Sequence, residues 1–148
     1  MSADAESYIR EIVDPTIGDF RNHPASRRHA FLACIVTFHC IDYITHPIKP
    51  QNLRHRFRKE NADFATVDRV AHAFKHVKSD GDSKSSLKQN RSLHVASVFE
   101  RPPALTGVMQ CGLSRLGDLQ GGVEIWEEDG SNLLSVVTKA AEFLRTKM

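Results

Sequence analysis

Arg69, His72 and His76 are the residues of this 148-residue chain whose types and spacing come nearest to chemistry. They fall at i, i+3 and i+7 of the stretch Val67-Asp-Arg-Val-Ala-His-Ala-Phe-Lys-His-Val77. In a helix those offsets lie within an arc of about 60°, with Val67, Val70, Phe74 and Val77 on the other side. Cleavage of RNA by its own 2′-hydroxyl needs a group that moves a proton and a cation that holds the phosphoryl charge. Histidine and arginine suffice for that without a metal. Arg69 and His76 are also the only pair in the chain with an Arg-x4-6-His spacing.

A second pair lies upstream. His39 and Asp42 occupy a helix from Arg27 to Thr45 whose apolar residues, among them Phe31, Ile35, Phe38 and Ile41, point in nearly every direction. Such a helix is expected to be buried on most sides, where an unpaired carboxylate costs several kcal/mol (on the order of 3). Partners are therefore expected on the Arg69 helix, and the spacing predicts one polar cluster of His39, Asp42, Arg69, His72 and His76, with Lys75. Two sets have the spacing of metal ligands, His39, Asp42 and His46 at i, i+3, i+7 and His72 with His76 at i, i+4. No glutamate stands between the latter as in a His-Glu-x-x-His motif, and neither a metal nor another cofactor is assigned.

The elements that must position these residues follow from periodicity. Tyr8, Ile9, Ile12 and Val13 start a helix that Pro15 either bends or restarts. Ser26 caps the long helix, Pro47 and Pro50 end it, and a short basic helix of about 51–59 follows, anchored by Leu53 and Phe57. The Arg69 helix starts at Asp63 or Thr66 and runs to about Lys78. Residues 79–90 are polar and read as a loop. Leu93 to Phe99, Gly107 to Leu116 and Gly122 to Trp126 alternate with a period near two and are broken by turn residues, which predicts an antiparallel meander over about 92–127. Leu134, Val137, Ala141 and Leu144 then predict a closing helix of about 133–147. The class is α+β in one domain: a helical bundle of four or five helices over about 4–78 and the terminus, with the small meander before the last helix.

Composition narrows the classes. A net charge of +2 says little, but bases gather in the middle, and Arg54, Arg56, Arg58 and Lys78 are the candidate nucleic-acid-binding set. The run Asp118 to Asp129, with Glu124, Glu127 and Glu128, is acidic. Three cysteines without Cys-x-x-Cys spacing point to a reducing compartment, and the acidic N-terminus lacks a signal's apolar stretch. The longest apolar run is too short for a bilayer, so the expectation is a cytoplasmic protein with no membrane contact. Phosphate-loop, dinucleotide and hydrolase-elbow motifs are missing from the sequence.

Two resemblances rest on these residues. Through Arg69 and His76 the chain resembles HEPN domains, helical bundles of prokaryotic defence and toxin systems whose ribonucleolytic members carry Arg-x4-6-His and often act as dimers. That likeness implies His76 as the acid-base group, Arg69 as the phosphate clamp, His72 beside them, and RNA and a second copy as partners. Where active members commonly carry a polar residue after the arginine, this chain has Val70. Through His39-Cys-Ile-Asp42 and His72-Ala-Phe-Lys-His76 it also resembles a group of small bacterial proteins that implies no activity. The alternative reading is a noncatalytic protein-interaction module whose polar cluster only fixes how helices pack.

Overall fold

The computed structural model describes residues 3–81, 86–126 and 132–148. Glu127, Glu128 and the Asp129-Gly130 turn lie outside them, as do Lys84 and residues 82–85 of the polar loop. The chain forms α1 (Ala3–Tyr8), a π-helical turn (Ile9–Val13), α2 (Asp14–Asn22), α3 (Arg27–Thr45), α4 (Gln51–Glu60), α5 (Ala62–His76), β1 (Val98–Arg101), β2 (Gly122–Ile125) and α6 (Leu133–Arg145). Because α1, the π turn and α2 run on without a break, the described residues hold five helices and a two-stranded sheet, an α+β fold dominated by helix.

Pro15 does not end the first helix, which continues from a π-helical turn into α2. Its ring would crowd the carbonyl four residues back, and the wide turn just before it, closed by Asp14 N–H donating to Ile9 O, takes up that crowding. Helices α3, α5 and α6 start on polar caps, whereas α4 starts at Pro50 without one. Ser26 Oγ accepts from His29 N, Asn61 Oδ1 accepts from Phe64 N at 2.7 Å, and Asn132 accepts from Leu134 N and Ser135 N. The cap of α5 is therefore Asn61, one residue before Ala62, and not Asp63 or Thr66. Its end also comes earlier than Lys78, because Val77 takes a left-handed backbone (φ 69°) that stops the helix.

At the centre lies α3, packed against α1, α2, α5 and α6, while α5 also meets α4 and α6. Phe20, Ile41, Phe57, Phe64, Leu133 and Leu144 fill the core, with Phe57 edge-on to both Phe64 and Phe143. Apolar residues surround α3, yet it is not buried on most sides. Leu32, His39, Asp42 and Tyr43 are exposed, and its buried face is Ala30, Phe31, Ala33, Cys34, Thr37, Cys40 and Ile41. More than half of that face consists of small residues, which lets α2, α5 and α6 come close on that side.

Among the described residues the meander is one antiparallel pair, with Val98 opposite Ile125 and Arg101 opposite Gly122. Residues 107–116, expected as its middle strand, form consecutive turns because Gly107 and Gly112, like Gly117 beyond them, hold φ near +80°. Side chains of alternating polarity cannot pair there, since every fifth residue reverses the backbone. Arg101, almost fully buried, closes this region by pairing with Asp118 and with Glu124 (3.1 Å). Its guanidinium occupies the space above Gly122, where a Cβ would sit 2.9 Å from Nη2. Arg27 joins sheet to bundle, its Nε donating to Val98 O at 2.7 Å and its backbone N–H to Glu100 Oε1 at 2.8 Å.

Candidate functional site

The polar cluster forms around a residue outside the set read from spacing. Asp68 on α5 is fully enclosed, and its Oδ2 accepts from Arg54 Nε (2.9 Å) and Arg58 Nη1 (2.7 Å) of α4. Nδ1 of His72, one turn further along α5, lies 2.7 Å from Asp68 Oδ1 and 2.9 Å from the Asp68 carbonyl oxygen. The chain turns sharply at Asn61, which lays α4 along α5 and brings two arginines from one helix onto one carboxylate of the next. Burial acts to raise the carboxyl's pKa, but His72, Arg54 and Arg58 together outweigh it and hold it at about 2.

Acid stability follows from that shift. In the unfolded chain the same carboxyl titrates near about 3.9, so its folded pKa is the lower of the two. Its contribution is complete above the unfolded value and disappears as pH falls from about 4 to about 2, amounting to about 2 kcal/mol. Urea midpoints measured across that window should fall with pH. In Asp68→Asn the part of the slope due to this carboxyl should vanish.

Arg54 and Arg58, expected among nucleic-acid contacts, thus turn inward to Asp68. Arg56 points the other way, exposed, with Nε 3.7 Å from Glu60 Oε1 and its guanidinium over Phe57. Lys78 is exposed just past α5 in a backbone bridge with His94. The four bases do not form one row, because i, i+2 and i+4 on α4 alternate between its two sides.

Arg69 is 1% exposed, and its Nη1 donates to the carbonyls of Lys88 (2.9 Å) and Arg91 (3.4 Å). His76 lies seven residues on, about 10 Å along the helix axis, and is exposed. The stripe that carries both therefore runs from beneath the 86–91 segment out into solvent. His39 and Asp42 were expected to need partners from α5. They face solvent instead, each nearly half exposed, and satisfy one another, with His39 Nδ1 2.7 Å from Asp42 Oδ2.

His39, His72 and Lys75 do come together, around a pocket of about 190 Å3 between α3 and α5. Its walls are Ile35, Phe38, Ala71 and Phe74. Phe38 sits edge-on to His72 at 4.9 Å, and Phe74 is 49% exposed and stacks on Phe31 at 4.6 Å. His76 stands behind His72, ring centroids 6.2 Å apart. Among the described residues no three His, Cys, Asp or Glu side chains converge as a metal site. Cys34 and Cys40 are buried, which pushes both thiols up to about 12 and makes them packing groups, not nucleophiles.

Fold and site together define a mostly helical α+β domain with an Arg-Arg-His-Asp cluster between α4 and α5 and a small apolar pocket between α3 and α5. No protein-family model, curated protein or solved structure matches the chain. No helix among the described residues is long and apolar enough to cross a membrane.

Proposed function

We propose that this chain is a HEPN-like helical domain that serves as a noncatalytic interaction module, its polar cluster setting how α4 and α5 pack. One observation carries the reading: Arg69, which the chemistry would need at an RNA phosphate, is enclosed and donates to the main chain of Lys88 and Arg91. A phosphate clamp and an acid-base group must reach one phosphate together. Here the exposed imidazole of His76 and the enclosed guanidinium of Arg69 face different surroundings. The exposed bases Lys75 and Lys78 near the end of α5 favour a partner with a negatively charged face, a protein or an RNA that is bound and left intact.

The test is direct, because His76 is exposed and its replacement leaves the core untouched. Mixed RNA incubated in chelator with purified protein, or with His76→Ala, should stay intact to the same extent in both. Cleavage by the wild type that His76→Ala abolishes would overturn the noncatalytic reading and restore the ribonuclease one.

A further inference from the structure

The pocket between α3 and α5 has a chemistry of its own. Its interior is apolar and aromatic, and its rim holds three basic side chains, His39, His72 and Lys75. Asp42 is already engaged by His39, and Asp68 by Arg54, Arg58 and His72. Lys75 has no carboxylate partner among the described residues, so the positive charge at the mouth is not cancelled. Size selects further. An apolar cavity of about 150 Å3 takes one benzene ring, so a volume of about 190 Å3 takes a ring with one small substituent. The walls are also held in place before anything binds, Phe38 by His72 and by Phe64 (6.4 Å), Phe74 by Phe31.

We propose that this pocket is a binding site for a small monocyclic aromatic carboxylate, its ring between Phe38, Ala71 and Phe74 and its carboxylate on Lys75 at the rim. Stacking on phenylalanine rings favours an aromatic body over an alkyl one, and the uncancelled ammonium favours an acid over an alcohol. A ligand this small in an open pocket binds weakly, with Kd on the order of 1 mM. The site stands apart from the question of RNA cleavage, since it uses neither Arg69 nor His76.

Benzoate titrated into the full-length, isotopically labelled protein at constant ionic strength tests this by NMR. Expected are saturable shifts centred on Ile35, Ala71, Phe74 and Lys75. Lys75→Gln, a surface change, should weaken binding about fivefold, the loss of one partly exposed charge contact. Benzyl alcohol should bind the wild type more weakly than benzoate and should not distinguish it from Lys75→Gln. Ala71→Leu fills the pocket and should abolish the shifts while its remaining spectrum stays folded. Shifts that rise linearly without saturating, that centre elsewhere, or that are the same in Lys75→Gln would overturn the proposal, and Lys75→Gln keeps the test decisive if Ala71→Leu fails to fold.

Discussion

Replacing Asp68 with asparagine should lower the unfolding free energy by about 3 kcal/mol and the thermal midpoint by roughly 10 °C. The carboxylate, itself fully enclosed, accepts from two arginines and faces a histidine. Asparagine keeps the shape but offers one acceptor oxygen, and its amide turns a donor toward groups that also donate. Both arginines retain some access to solvent, 22% and 17% of their side chains, so part of their charge can be rehydrated. The loss is accordingly placed at the low end of what an orphaned buried ion costs. Chemical denaturation with coincident fluorescence and circular dichroism transitions measures it. An unchanged midpoint would mean that the cluster adds nothing to the packing of α4 on α5, and the structural role given to it would be wrong.

Arg69→Met should destabilise the fold by a similar amount, about 3 kcal/mol, although methionine preserves most of the aliphatic stem. What disappears is the charged donor to the Lys88 and Arg91 carbonyls, the link between the 86–91 segment and α5. Tryptic cleavage after Lys88 and Arg91 should therefore speed up in the variant beyond what its lower global stability accounts for. Arg69→Lys should fall between the two, since an ammonium carries the charge but not the guanidinium's forked donors. A residue kept for catalysis behaves in the opposite way, because active sites hold charges at a cost in stability and their removal is neutral or stabilising. If Arg69→Met raised the melting temperature, Arg69 would belong to a working site.

Much of the architecture was readable from local patterns. Ser26 ahead of α3, the prolines after it, and the spacing of Leu134, Val137, Ala141 and Leu144 depend on residues within a turn or two of each other, and the structure keeps all of them. In the stretch 107–116 alternating polarity suggests a strand, whereas Gly107, Gly112 and Gly117 at five-residue intervals give repeated turns. Phe74 shares the apolar side of α5 with Val67 and Val70, which are buried, yet is itself half exposed. It lies in the last turn of α5, where it stacks on Phe31.

The site was harder to read, for a related reason. Asp68 and His72 are an i, i+4 pair, a signal present in the sequence, but nothing local announces that Arg54 and Arg58 arrive from fourteen and ten residues upstream. Their meeting depends on the angle at Asn61. In the same way, helical spacing alone puts Arg69, His72 and His76 on one stripe, and it is the segment around Lys88–Asn90, folded back over the start of that stripe, that encloses Arg69 and leaves His76 in water.

The order of the helices, the Ser26 cap of α3, the α+β class and the basic character of α4 are therefore legible in the chain itself, since each arises from neighbours a few positions apart. Which charges end up paired, which face of α3 is covered, and where a pocket opens between α3 and α5 depend on contacts between distant residues. Those contacts are chosen by how small side chains such as Ala33 and Cys34 let one helix approach another, and no spacing rule along the sequence encodes that.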